Sequence, residues 1–229
     1  MTAVVPLLAL DHARFAWPGG PVLALPELAV RQGERWLIEG PSGAGKSTLL
    51  QLASGVLLAD CGEVALLGEP WRNYSGAARD ARRADHIGLV FQMFNLVPYL
   101  SALANVMLPC RFSARRRARA LRGGAALEGE AGRLLAALGL TDRAVLARSA
   151  DRLSVGQQQR VAAARALIGA PELILADEPT SALDADNARA FLDLLFAEAA
   201  AAGAAVVVVS HDRALRPAFE HHFYLAAAA

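Results

Sequence analysis

The sequence is poor in the features that mark metal-scaffolded, secreted or membrane-spanning proteins. Its two cysteines, Cys61 and Cys110, lie far apart and form no C-x-x-C pair, which argues against a zinc site or a disulfide framework and makes a reducing compartment the default. No apolar run reaches the roughly 18 residues of a membrane span; the longest, Ala199 to Val209, has eleven residues and contains Gly203. The stretch Met1 to Leu10 has no basic cluster and is broken by Pro6, so it makes a poor secretory leader. Charge of one sign is lacking too. The net charge is +1 with 20% charged residues, which gives no reason to expect a nucleic-acid partner. A chain of 229 residues can bury a substantial core, and the expectation is a soluble cytoplasmic protein.

What is present is concentrated first at Gly40-Pro-Ser-Gly-Ala-Gly-Lys-Ser-Thr48, which fits G-x-x-x-x-G-K-[ST]. Arg35 to Glu39 reads as a short buried strand before it and Ser47 to Ala53 as a helix after it. In that setting Gly40, Gly43 and Gly45 let the backbone wrap phosphate oxygens, so that its N–H groups and the helix N-terminus point at negative charge. Lys46 adds a cation for the β- and γ-phosphates, and the Ser47 hydroxyl is placed to ligate Mg²⁺. The whole stretch, Pro41, Ser42, Ala44 and Thr48 included, is expected to hold a nucleoside triphosphate.

Around it, Leu7 to Leu10, Val22 to Leu25 and Leu28 to Val30 are short apolar runs split by Pro18-Gly-Gly-Pro21 and Pro26, which predicts a small antiparallel sheet. Trp17 before the first turn either packs or stacks on a base. Cys61 to Leu67 and Ile87 to Phe91 read as strands. After Gln92, the residues Met93, Phe94, Leu96, Val97, Tyr99 and Leu100 crowd around Pro98, as a buried loop or, if exposed, a docking site. Leu103, Val106, Met107 and Cys110 have helical spacing. Arg111, Arg115, Arg116, Arg117, Arg119 and Arg122 form a basic run without one acid, either a solvated helix face or a contact for anionic lipid or an acidic partner. Gly123-Gly124 ends it, and Glu128 to Leu140 resumes a helix capped by Gly139.

Ser154 is a natural N-cap and Gly156 opens the alanine-rich helix that follows, giving a second helix N-terminus able to hold an anion. Pro171 to Asp177 is the strongest buried-strand signal. It ends in Asp177 and Glu178, a carboxylate pair that can bind a metal through one member and activate water through the other. Asp184 caps a helix over Ala185 to Ala200. Ala204 to Val209 is a β-branched strand delivering His211, which is a γ-phosphate contact or a structural histidine. His221 and His222 are expected to be structural.

In this order, the phosphate loop, Gln92, Leu153 to Gln157, Asp177-Glu178, Ser181 to Asp184 and His211 resemble the full motif set of an ATP-binding-cassette (ABC) ATPase over nearly the whole chain. The resemblance implies an α/β fold: a P-loop NTPase core with a mostly parallel sheet flanked by helices, an N-terminal antiparallel β subdomain and an inserted α-helical subdomain. The expected division within one domain, 1–229, is 1–34 and 56–75 for the β subdomain, 35–55 and 160–229 for the core, and 93–159 for the helical part. It also implies a head-to-tail dimer, homomeric or with a second ATPase subunit, that sandwiches two ATP molecules with Mg²⁺. In that arrangement Trp17 stacks on adenine. Lys46, Ser47 and Gln92 serve phosphate and metal, while Ser154, Gly156 and Gln157 meet the γ-phosphate from across the interface. Asp177 supports Mg²⁺, Glu178 polarises water, Asp184 communicates between subunits and His211 holds the γ-phosphate.

Two departures are visible. Val155 stands where the family's signature has a glycine, so the loop must hold it in ordinary α or β geometry; and the chain ends at Ala226 to Ala229 without an added regulatory domain. Gln92-Met-Phe-Asn-Leu-Val-Pro98 and Leu103-Ala-Asn-Val106 make it most similar to ATPases of the lipoprotein-release, macrolide-export and cell-division type. Those work with integral membrane permease subunits, which would place this chain on the cytoplasmic face of the inner membrane. An importer ATPase for a small solute remains the alternative. A nucleic-acid-handling ABC protein would need a long coiled-coil insertion or a second cassette, and a kinase on the same loop would not need Ser154 to Gln157 or His211.

Overall fold

The computed structural model describes residues 5–124 and 126–226. The leader reading of Met1 to Leu10 and the reading of the alanine end therefore lie partly outside the described residues.

The chain opens with β1 (Leu8–Ala16), β2 (Val22–Ala24) and β3 (Leu28–Val30), then β4 (Arg35–Glu39), α1 (Lys46–Ala53), β5 (Cys61–Leu66) and β6 (Glu69–Pro70). β1 pairs antiparallel with β3 and then β2 along one edge and with β5 along the other, and β6 follows β5. The first strand is longer than its apolar run Leu7 to Leu10 suggested. Its polar half, Asp11 to Ala16, is held by neighbours rather than by strand propensity, and the register shifts between Asp11 and Arg14, where His12 has φ +46°.

Next come α2 (Gly76–His86) and β7 (Ile87–Val90). The helices α3 (Ala102–Met107), α4 (Pro109–Phe112), α5 (Ala114–Ala120), α6 (Leu127–Ala137) and α7 (Arg143–Ala147) follow in succession. The chain returns through α8 (Val155–Leu167), β8 (Leu173–Asp177), α9 (Ala185–Ala201), β9 (Ala205–Ser210) and β10 (His221–Tyr224). α8 runs without a break through the 159/160 division. Five strands form a second, parallel sheet in the order β10-β4-β9-β8-β7. Its central strands β8 and β9 are buried on both faces, which is why they read as continuous apolar runs, whereas the edge strand β10 is partly exposed. Leu37, Val206 and Val208 face one core with α8 and α9, whereas Ile38, Val207 and Val209 face the other with α1 and the antiparallel sheet. Parallel pairing puts the C-terminal ends of β4, β9, β8 and β7 along one edge, and the residues that follow each strand gather there.

Several expectations need correction. Phe91 lies beyond the end of β7, in the turn that follows. The cluster after Gln92 is not one surface: Phe94 is buried, Leu96 packs on the core, and Met93 and Tyr99 are each 81% exposed. Asn105, 0% exposed, pins this loop. Its Oδ1 accepts from Val97 N at 2.8 Å, and its Nδ2 donates to the carbonyls of Val97, Leu100 and Ser101.

The basic run is a solvated face only in part: Arg111, Arg115, Arg117 and Arg122 are exposed, whereas Arg116 is buried and Arg119 half-buried. Arg116 is 2% exposed and donates to the carbonyls of Ile168, Arg165 and Ala166 at the C-terminus of α8 and to that of Ile87. These are orphan carbonyls that a guanidinium fork suits, and burial pushes the Arg116 group down to about 10. Arg115 and Arg119 both pair with Glu172. The sequence pattern could not reveal this, because the partners are mostly backbone oxygens and one distant acid.

Candidate functional site

The loop from Gly40 to Gly45 turns directly from β4 into α1. Gly45 precedes the helix with φ +93°, and a Cβ there would stand 2.8 Å from Leu23 Cδ1. At Gly40 a Cβ would come within 2.5 Å of the Leu225 carbonyl, so the loop passes closely over the end of β10. Lys46 is the only lysine in the sequence. Its Nζ donates to the carbonyls of Gly40 at 2.8 Å and Pro41 at 3.1 Å, which holds the ammonium inside the loop.

The neighbouring strand ends complete the site. Ser47 Oγ donates to Asp177 Oδ2 at 2.8 Å. Burial pushes the Asp177 carboxyl up from its ordinary value and the adjacent Glu178 adds to this, against the Ser47 hydrogen bond and Lys46. Glu178, also buried, has φ +45°. Its carboxylate is anchored to the end of β9: Oε2 accepts from Ser210 Oγ at 2.9 Å, and Oε1 accepts from His211 N at 3.0 Å and from His211 Nδ1 at 2.8 Å.

A cavity of about 770 Å³ lies over these groups. Of the residues singled out from sequence, it is lined by Pro41, Ser42, Gly43, Gly45, Lys46, Ser47 and Thr48 from the loop, and by Gln92, Asp177, Glu178 and His211 from the strand ends. Gly40 and Ala44 are buried behind the loop rather than in the lining. Trp17, exposed and edge-on to Phe15 at 5.1 Å between ring centroids, is also outside it.

So are Ser154, Gly156, Gln157 and Asp184. Ser154 caps α8 in a full capping box, with Gln157 N donating to Ser154 Oγ and Ser154 N donating to Gln157 Oε1. Val155 enters the helix without positive φ, as expected. Asp184 caps α9 through Asn187 N.

Sequence reading missed three residues that shape the site and a fourth, Asn105, that pins the loop after Gln92. Ser210 was passed over as a strand end, although its place beside His211 was a signal. Glu39, directly before the phosphate loop, accepts a two-pronged contact from Arg216 in the turn after His211, at 2.7–2.9 Å; nothing local in the sequence announces that pair. Gln159 and Asn105 are buried polar residues whose burial only the fold reveals.

As a donor set, the Ser47 hydroxyl, the Asp177 carboxylate and the Gln92 amide are all oxygen ligands, which suits a hard divalent cation such as Mg²⁺. The glycine loop, lysine and helix N-terminus suit a polyphosphate.

Comparison with known proteins agrees with this geometry. The family described as ABC transporter matches residues 25–181. The ABC transporter ATP-binding protein YbbA of Escherichia coli (strain K12) is 42% identical over 191 residues, covering 83% of this chain and 80% of that protein. The lipoprotein-releasing system ATP-binding protein LolD of Novosphingobium aromaticivorans is 40% identical over 215 residues, 92% of each. Among solved structures, the dimeric bacterial ABC transporter cassette MJ0796 superposes with a TM-score of 0.82 at 35% identity, covering 96% of this chain and 94% of that one. A post-hydrolysis dimer of the same cassette bound to ADP and Pi matches equally well, at 34% identity and 97% of each chain. The chain belongs to the ABC transporter family, as an ATP-binding, ATP-hydrolysing subunit.

Proposed function

We propose that this subunit works as a head-to-tail dimer of ATPase subunits on the cytoplasmic face of a membrane, driving permease subunits of the lipoprotein-release type. The observation that carries the catalytic reading is the convergence of Lys46, Asp177, Glu178 and His211 on the single cavity of the phosphate loop. Lys46 neutralises the β- and γ-phosphates, and Ser47, Asp177 and Gln92 would hold Mg²⁺, which would supply positive charge to the transferring phosphoryl group. Glu178 accepts a proton from the attacking water. His211, tied to the same carboxylate, contacts the γ-phosphate, and Trp17 stacks on the adenine.

The dimer reading is supported by the likeness to a dimeric cassette and by the place of the second helix N-terminus. Ser154, Gly156 and Gln157 form a capped helix N-terminus of the kind that binds phosphate, yet they lie outside their own chain's site. They are assigned to the nucleotide of the second copy, with Asp184 communicating across the interface. The likeness to LolD over 92% of each chain favours lipoprotein release over solute import. Among the described residues no helix is long and apolar enough to cross a membrane. Phe91, Pro109 and Phe112 line a groove of about 350 Å³ close to Gln92, which suits a short cytoplasmic helix of the permease.

The test is Glu178→Gln. Steady-state hydrolysis should fall to background while Mg-ATP binding persists, and gel filtration with Mg-ATP should show the doubled species because ATP bound at the interface stabilises association. Normal turnover by this variant removes Glu178 from its role, and an ATP-bound monomer removes the sandwich.

A further inference from the structure

Gln159 lies in the second turn of α8 and is 1% exposed. Its neighbours Val161, Ala162, Ala163 and Ala164 fill that part of the helix with small apolar side chains, so a primary amide is out of place unless it is bonded. It is bonded: Nε2 donates to the Pro179 carbonyl at 2.5 Å. That carbonyl belongs to the residue directly after Glu178.

The acceptor's place gives the bond its meaning. Glu178 has φ +45°, a backbone state that a non-glycine residue keeps only where its surroundings over-determine it. On one side Glu178 N donates to Val209 O at 3.0 Å, and its carboxylate is tied to Ser210 and His211. On the other side Ser181 N donates to Glu178 O at 3.2 Å, and Pro179 has no N–H with which to pin itself. The Gln159 amide supplies a tether there from a separate helix.

The geometry points to Gln159 as a positioning residue for the Glu178 carboxylate, setting the Glu178-Pro179 segment from α8 so that the aim of the carboxylate depends on where α8 stands. This rests on Glu178 being the group that activates water. It adds a route between the two sites of the dimer. Ser154, at the start of the same helix, is assigned to the partner copy's nucleotide, and about one and a half turns of rigid helix separate it from Gln159. Engagement of Ser154 at one site is thereby passed to Glu178 at the other.

Two variants of the full chain test this. Gln159→Met keeps length and volume and removes the donor. It should lower kcat about 10- to 100-fold through misplacement of the carboxylate, with the KM for ATP and the thermal midpoint nearly unchanged. Gln159→Glu keeps the shape but can donate to the Pro179 carbonyl only when protonated, and burial raises such a carboxyl. Its kcat, as a ratio to the unsubstituted protein at each pH, should climb as pH falls from 8 towards 5.5, roughly through that raised pKa; for Gln159→Met the ratio should be flat.

A Met variant that folds and retains kcat within about twofold, or one that loses only KM, overturns the inference, as does a flat ratio for Gln159→Glu. Should Gln159→Met fail to fold, the pH ratio of the Glu variant decides alone. Glu178→Gln separates the two levels: if it is inactive and Gln159→Met is not, only the positioning role fails.

Discussion

Lys46 Nζ lies 3.7 Å from Glu178 Oε1, and each side chain is only 9% exposed. A buried cation and a buried carboxylate thus face each other across the place where the phosphate loop meets the end of β8. At that separation and degree of burial their attraction is stronger than it would be in water, and both line the cavity over the phosphate loop.

Lys46→Ala should therefore weaken ATP binding and turnover together, with a loss in kcat/KM of about two orders of magnitude, or roughly 3 kcal/mol. Because Lys46 is the only lysine, an amine-selective reagent reports on it directly, apart from the α-amino group. Mg-ATP should protect it from modification. Full labelling at saturating nucleotide would place the ammonium away from the phosphates.

Glu172 supplies a pH-dependent contribution to stability. Burial pushes its carboxyl up, but hydrogen bonds from His86, Arg115 and Arg119 outweigh burial and hold it well below the usual range. The unfolded chain therefore binds this proton first, so the contribution is full above the ordinary carboxylate value near 4.5 and is lost as pH falls below it towards the folded value. Glu172→Gln should cost about 1–3 kcal/mol at pH 7, where it leaves partly buried guanidinium groups unpaired. The difference from the unsubstituted protein should shrink in acid, and urea titrations at several pH values measure it. An unfolding difference that stays constant from pH 7 to about 3 would exclude the network as its source.

Legibility in the sequence followed the range of the interactions. The phosphate loop, Asp177-Glu178 and His211 could be read because each sits where a strand meets a loop, and local pattern reports strand ends. Their convergence follows from the parallel pairing of the strands, which the resemblance to the ABC ATPases implied. Arg116 could not be read, because it caps the end of a helix far along the chain, and charge in a sequence says nothing of the carbonyls it will meet. The polar half of β1 was invisible for the same reason: partners on both edges hold Asp11 to Ala16 in place.

Asn105 gives a test of that kind of hidden contact. Asn105→Ala strips the Val97 N–H and three carbonyls of a buried partner, a loss of about 2–3 kcal/mol. For a chain of this size that lowers the thermal midpoint by about 2–4 °C per kcal/mol. Hydrogen exchange should accelerate at Val97 before it does in β8. Uniform acceleration throughout would mean that the loop is not a separate unit.

The last prediction concerns the permease. Met93 and Tyr99 each stand 81% exposed on the loop that begins at Gln92, and Phe91 and Phe112, also exposed, line a groove. Exposed large apolar side chains of this kind are expected where a partner docks. Gln92 lines the nucleotide cavity from the same loop, so the prediction is that a change at the γ-phosphate is passed along this loop to the partner. Leu96 is unsuited to testing the idea, since it packs on the core and its loss would perturb the fold. The pair Met93→Glu and Tyr99→Glu avoids that problem. Burying two such side chains against a partner is worth about 1.5–3 kcal/mol each, so affinity for the membrane subunit should fall by about two orders of magnitude or more. Basal hydrolysis by the isolated chain should stay within about twofold, because neither side chain lines the ATP cavity. Undiminished binding to the membrane subunit would move the docking site elsewhere, and loss of basal hydrolysis in a folded variant would make the loop part of the catalytic framework.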